Sequence, residues 1–320
     1  MTDIGLIFHW GLYSVPAYDC IQSVYKRKMK NGSEWYFKRL METGTYRPIS
    51  GWKETQEYHK KNYDNKDYYE FRNEFGNDVD EITFNKWMEL AKQIGASYVI
   101  LTAKHHDGFC LWNTETTDKK TEKNYVEMFK KSALKYNLKF GIYYSWSEFL
   151  ISCNKKYVSE IICKQMEELE KYNPDIFWFD GQWSCKTQFC INKINDICNK
   201  IKINNPNIMI NDRIPRNDKK YDDLNFLGNA TYRVYSDRCI PNDKPKVKWE
   251  HINTIGYSWG INKDQKTCDY KSGNELYKLY TKISSMNGKF LINLGPNANG
   301  ILDENEVNSL IDFSKMINDK

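Results

Sequence analysis

The sequence has no run of about 18 apolar residues, which excludes a membrane-spanning helix. Its first residues, Met1 to Tyr13, lack a basic segment, and His9 interrupts their apolar run. They do not read as a signal peptide. The expectation is an intracellular, cytoplasmic chain, with secretion left open. Paired cysteine spacing is missing too. Nine cysteines occur, none as CxxC, and the closest two are Cys185 and Cys190. That pattern predicts free thiols in a reducing compartment rather than a disulfide framework. The net charge of +5 is not gathered into a basic stripe, so no nucleic-acid partner is expected. Lys60-Lys61, Lys119-Lys120 and Lys219-Lys220 read as solvated surface. No Gly-rich turn follows the first strand candidate, and there is no P-loop and no GxSxG elbow. Dinucleotide folds, phosphate cradles and the α/β-hydrolase triad therefore lack their signatures. No internal repeat, low-complexity tract or linker is visible.

What is present is an aromatic, regularly patterned chain of 320 residues, long enough for a substantial core. Its 23 Tyr and 10 Trp suit a core, and equally a sugar cleft, where flat apolar sugar faces stack on rings. Residues 5–10 (GLIFHW) read as a first strand. The segment 11–78 follows, too long for a plain connection, and is expected to be an active-site insertion. It carries a short helix at 33–41 with Ser33 as N-cap. Helices are then expected at 83–94, 123–136, 157–172, 187–203, 273–286 and 304–316. Strands alternate with them at 97–102, 139–145, 175–179, 207–210, 232–235, 247–252 and 289–294. Gly95 stops the first of these helices and Pro174 breaks the third. The alternation implies parallel βαβ units. About eight strands predict an α/β fold, an irregular (β/α)8 TIM-like barrel, as a single domain over 1–320.

In such a barrel the C-terminal ends of all strands converge, so their residues are the place to look for chemistry. Those ends carry His9 and Trp10; Lys104, His105, His106 and Asp107; Tyr143, Tyr144 and Ser145; Trp178 and Asp180; Asn211, Asp212 and Arg213; Trp249 and Glu250; and Asn293. Polar and aromatic groups gather at strand after strand, which points to an enzyme or a sugar-binding site. Side chains alternate along a strand, so Trp178 and Asp180 share a face. Asp180 either ends its strand at an Asp-Gly turn or is a reactive group. His105 and His106 lack metal-site spacing and read best as donors to substrate hydroxyls, with satisfied core histidines as the plain alternative. Arg213 is a ligand group or a structural ion-pair partner. No metal and no cofactor are expected.

At these residues the sequence resembles the family 29 glycoside hydrolases, the retaining α-L-fucosidases. The matching blocks occur in order: IFHWGLYSVPAY (7–18), SEWY (33–36), the stretch 87–112 containing KHHDGFCLW, GIYYS (141–145), WFDG (178–181), INDR (210–213), WEHINTIGYSWG (249–260) and LINLGP (291–296). The resemblance implies a β/α-barrel catalytic domain and hydrolysis of terminal α-L-fucose from glycans by double displacement. By its place in WFDG, Asp180 would be the nucleophile. His9, Glu34, Trp35, His105, His106, Tyr144, Trp178 and Arg213 match positions that hold the fucose ring, and Trp259 would close its apolar face. The implied partner is a fucosylated glycan, with no membrane; an oligomeric state is not indicated.

The chain departs from the family pattern at the second carboxylate. Many relatives carry a Glu between the INDR and WE blocks, whereas no glutamate lies between Arg213 and Glu250 here. Asp237, in YSDRCIP, aligns best and is the expected acid/base, with burial or the nearby Asp180 charge expected to keep it protonated at first. Glu250, Asp222 and Asp223 are the alternatives. The second departure is length, since the chain ends soon after LINLGP and no C-terminal β-sandwich is expected. These departures keep other readings in play: a fucose-binding pseudoenzyme with an impaired acid/base, or a related barrel glycosidase or transfucosidase.

Overall fold

The computed structural model describes residues 3–20, 32–45, 47–216 and 227–318. Eight strands form one parallel sheet: β1 Ile4–Phe8, β2 Tyr98–Lys104, β3 Lys139–Ser145, β4 Ile176–Asp180, β5 Met209–Ile210, β6 Arg233–Val234, β7 Trp249–Thr254 and β8 Lys289–Leu294. Their order is β5-β4-β3-β2-β1-β8-β7-β6. The sheet curls until its two ends meet at a single parallel bridge, Asn211 opposite Tyr232. Thr231 supports that seam from both sides. Its N–H donates to Ile210 O at 2.8 Å, and its hydroxyl accepts from Ile210 N at 2.8 Å. The expected (β/α)8 TIM-like barrel is thus present, irregular at the β5–β6 seam.

Alternation along the strands sorts the apolar side chains into two sets. Leu6, Phe8, Val99, Leu101, Phe177 and Phe179 point outward to the helices. Ile7, Ile100, Tyr143, Ile176, Trp178 and Leu291 fill the barrel. Each such buried side chain is worth about 1.5–3 kcal/mol, so a shift of register by one residue would expose polar groups to both layers. The helices begin where the sequence supplies caps. Asp80 accepts from Thr83 N at 3.0 Å before the helix Glu81–Gln93, and Ser272 with Glu275 forms a capping box before Gly273–Ser285. Gly95 follows the first of these at φ 75°, as its C-terminal stop.

Three local expectations are corrected. Ser33 does not cap a helix: it lies inside the turn Ser33–Trp35, which precedes the helix Tyr36–Leu40, and its hydroxyl accepts from Ser258 Oγ. The segment 11–78 contains a helix, Trp52–Tyr63, that its polar composition concealed. Not all thiols are free, because Cys153 and Cys185 form a disulfide with Cα atoms 5.0 Å apart. The two lie 32 residues apart and meet only because the loops after β3 and β4 are neighbours, which spacing alone does not reveal.

Candidate active site

A pocket of about 480 Å³, counted to its open mouth, lies at the C-terminal ends of the strands. Its walls come from β1 (His9), the 11–78 segment (Glu34, Trp35), β2 and its loop (His105, His106), β3 (Tyr143), β4 (Trp178, Asp180) and the β7 side (Ile252, Trp259). Arg213 and Asp237 complete it from the seam, and Trp183 stands at its rim.

Asp180 is the focus of this arrangement. Its side chain is buried, and four groups address its two oxygens. Arg213 NH1 donates to Oδ1 at 3.0 Å and Gly181 N at 2.9 Å. The Tyr143 hydroxyl donates to Oδ2 at 3.0 Å, and His106 Nε2 stands 3.7 Å from the same oxygen. Burial by itself opposes the charge, but the Arg213 guanidinium and the Gly181 N–H outweigh it and hold the carboxyl below its usual range. The plain reading, a strand merely ending at an Asp-Gly turn, does not account for this convergence. Gly181 does make the turn, at φ 76°. A Cβ there would meet Ser147 Cβ at 2.7 Å and Ser145 Oγ at 2.8 Å, so the turn has room only for glycine.

The three histidines are held neutral, and burial is the main cause at each. It pushes His9 down to about 3, His105 well below its ordinary value, and His106 below it as well. Their neighbours fix two tautomers. Ser145 donates its one hydroxyl hydrogen to Ser147 O at 2.7 Å, so His106 Nδ1, 2.6 Å away, carries a hydrogen and Nε2 is the acceptor. Asn293 donates to Trp259 O at 2.7 Å, so its Oδ1 faces His9 and accepts from Nδ1. His105 Nδ1 is buried without a hydrogen-bond partner among the described residues. Neutral rings with free acceptor nitrogens suit the hydroxyls of a sugar.

Glu34 is pinned by backbone. Gly32 N donates to Oε1 at 2.7 Å, and Trp259 N and Gly260 N donate to Oε2 at 3.2 and 3.3 Å. Burial nonetheless raises its carboxyl above the usual range. These bonds join the 11–78 segment to the loop carrying Trp259, whose ring lies 5.3 Å from His9. Trp35, half-buried, packs 4.8 Å from Phe149 and edge-on to His106 at 5.9 Å. Trp178 stacks on Tyr143 at 5.5 Å, and the Arg213 guanidinium lies 4.7 Å over its indole.

Of the expected fucose-ring residues, the structure brings all but one to the pocket. Tyr144 is the exception. It points to the outer layer, where its hydroxyl donates to Gln165 at 2.8 Å and accepts from Lys104 at 3.1 Å. Tyr143 pairs in register with Trp178 and therefore shares its inward face. Parity along β3 decides between them, and the pairing with β4 was not available from the sequence. Lys104 faces outward with Tyr144 and also pairs with Glu148 at 3.3 Å. Asp107 accepts from Tyr68 at 2.7 Å, and Asn211 bridges Phe179 through both its N–H and its carbonyl; both serve the frame.

Of the four acid/base candidates, the two in the described residues part company. Glu250 is on β7 opposite Lys289, one layer beneath the pocket. Both its oxygens are occupied, by Tyr98 OH at 2.7 Å and Trp178 Nε1 at 2.8 Å, and it supports the floor rather than facing a ligand. Asp237 lines the pocket, where it ion-pairs with Arg213 NH2. Burial, one expectation for it, is absent, since its side chain is 39% exposed. Asp180 and Asp237 thus share one guanidinium. Asp222 and Asp223 lie outside the described residues. Among the described residues no three His, Cys, Asp or Glu side chains are grouped to hold a metal ion. Ile252 and Trp183 also line the pocket and were not among the expected site residues. Trp183 carried one signal, its position three residues past Asp180 on a turn.

A parallel β/α barrel with a carboxylate-, histidine- and indole-lined pocket at its strand ends defines a barrel of the glycoside-hydrolase type. The profile for Alpha-L-fucosidase matches residues 2–320, and the chain belongs to that family. It is 28% identical to an Alpha-L-fucosidase of Dictyostelium discoideum over 99% of this chain and 68% of that one. It is 27% identical to the Tissue alpha-L-fucosidase of Homo sapiens, over 94% of this chain. The chain spans only 63% of the human protein's length. The crystal structure of Thermotoga maritima alpha-fucosidase superposes with a TM-score of 0.81 at 25% identity, covering 99% of this chain and 72% of that one. The same enzyme in complex with fucose gives 0.80.

Proposed function

We propose that the chain is the catalytic barrel of a retaining α-L-fucosidase, acting on terminal α-L-fucose of glycans. The observation that carries the reading is Asp180, a buried carboxylate kept ionised on the wall of a sugar-sized pocket in a member of this family. Asp180 attacks the anomeric carbon, and the glycosidic C–O bond breaks with its electron pair passing to the leaving oxygen. Asp237 gives that oxygen its proton. A β-linked fucosyl ester on Asp180 results. Water then attacks the same carbon, Asp237 takes its proton, and Asp180 is released as carboxylate with α-L-fucose. As a donor Asp237 faces the leaving oxygen rather than Arg213, so its side chain turns from the guanidinium when the sugar enters. His9, His105, His106 and Glu34 meet the ring hydroxyls, and Trp178 and Trp259 meet its C–H face and methyl.

The test is release of the phenol from an aryl α-L-fucoside. Wild type is expected to turn over with the α-anomer formed first, and Asp180→Ala to lose several orders of magnitude in rate. No turnover by wild type, or undiminished turnover by the variant, overturns the reading. One observation favours a second reading, a fucose-binding protein without turnover: the resting Asp237 is engaged by Arg213. That reading predicts L-fucose binding but no hydrolysis even of a fucoside with an activated leaving group.

A further inference from the structure

The loop that carries Asp237 is built around an unusual residue. Arg238 adopts a left-handed backbone at φ 62°, where only glycine and asparagine are at ease. Such strain persists only where the surroundings over-determine it. Here they do. Arg238 N donates to Ile252 O at 3.1 Å, anchoring the loop on β7. Its Nε donates to Thr254 Oγ1 at 3.1 Å and its NH2 to Tyr257 O at 2.9 Å. The guanidinium plane then lies 4.8 Å over the indole of Trp259. A turn bond, Cys239 N to Ser236 O at 3.0 Å, closes the loop around Asp237. One side chain therefore ties the mouth-side carboxylate to the end of β7, to the loop behind it, and to the apolar wall of the pocket. That wall is in turn fixed to Glu34 through the Trp259 and Gly260 N–H groups.

We propose that Arg238 is a positioning residue that sets the place of Asp237 relative to the Trp259 wall, so that proton transfer to the leaving oxygen, and later from the attacking water, depends on it. The proposal rests on the α-L-fucosidase reading above. Arginine suits the task because its planar fork can stack and donate in two directions at once, which lysine cannot do. A charge alone at this point would not hold the loop.

The experiment measures kcat/KM for a series of aryl α-L-fucosides of graded leaving-group ability, with wild type, Arg238→Ala, Arg238→Lys and Arg238→Gly. A loss confined to poor leaving groups is the signature, because a good leaving group needs little acid help. Arg238→Ala is expected to fall at least about tenfold further on the poorest leaving group than on the best. Lysine does not restore the difference. Glycine relieves the backbone strain yet shows the same selective loss, because the side-chain anchors are gone. Thermal melting of each variant registers any general damage, which would slow all substrates alike. A uniform loss across the series, rescue by lysine, or full activity of Arg238→Gly each overturns the proposal. Failure of the underlying reading looks different: wild type then turns over no fucoside, or Asp180→Ala matches wild type.

Discussion

Replacing Tyr143 by Phe removes one hydroxyl and leaves the packing of the ring on Trp178 in place. That hydroxyl donates to Asp180 Oδ2 at 3.0 Å, inside a buried site. A hydrogen bond to a charged group contributes about 1.5–3 kcal/mol. If the carboxylate needs it to reach the attacking geometry, kcat/KM on an aryl α-L-fucoside should fall roughly ten- to hundredfold. The pH profile moves in a defined direction. Asp180 is held below its usual range, and losing a donor to the ionised form raises it, so the acid limb of kcat/KM shifts to higher pH. Tyr144→Phe is the control. Its hydroxyl serves Gln165 and Lys104 in the outer layer, so its loss costs about 1–3 kcal/mol of stability and little activity. Fluorescence-monitored denaturation and steady-state kinetics on both variants separate the two. The reasoning is refuted if Tyr144→Phe loses activity as Tyr143→Phe does, or if Tyr143→Phe keeps full activity with an unmoved acid limb.

Three further predictions concern the frame. Burial pushes Glu306 from 4.5 up to about 8, so the folded state holds its proton more tightly than the unfolded chain. Its stabilisation is complete below about pH 4.5 and is lost as the pH rises through about 8. The stability difference between wild type and Glu306→Gln, followed by denaturant titration, should therefore move in favour of the variant across that window; a pH-independent difference contradicts the account. Cys153 and Cys185 close a loop of 32 residues, so Cys153→Ala/Cys185→Ala should lose about 3–4 kcal/mol of stability, read as a lower denaturant midpoint. Gly181→Ala should lower both melting temperature and activity, because its Cβ would press on Ser145, the residue that orients His106. Melting and kinetics indistinguishable from wild type would contradict that.

Much of the barrel was legible because its physics is local. The strand KFGIYYS and the strand KFLINL carry apolar runs bounded by turn residues, and both occur at the expected bounds. The C-terminal end of the first long helix followed from Gly95, a role that depends on a few neighbouring atoms, whereas the caps Asp80 and Ser272 emerged only in the structure. What was not legible depends on pairing. β5 and β6 fall within the expected strands 207–210 and 232–235 but keep only two residues each, and how their seam closes, with the Thr231 hydroxyl accepting from Ile210 N, was not legible. Tyr143 and Tyr144 are adjacent and chemically identical, and only the register with β4 says which faces the pocket. Glu250 has the right charge at a strand that reaches the site, but the wrong depth along it. The disulfide joins two loops that sequence distance keeps apart.

The covalent step on Asp180 is the centre of the account, and one measurement addresses it directly. The protein is incubated with 2-deoxy-2-fluoro-α-L-fucosyl fluoride, whose fluorine at C2 slows turnover of the ester while fluoride leaves readily from C1. Intact-mass spectrometry followed by peptide mapping then locates any adduct. The account predicts one fluorofucosyl group per chain, on the peptide containing Trp178-Phe179-Asp180-Gly181, with no label on Asp180→Ala. A label on another carboxylate, or hydrolysis of an aryl fucoside by a protein that never takes up the label, would contradict it.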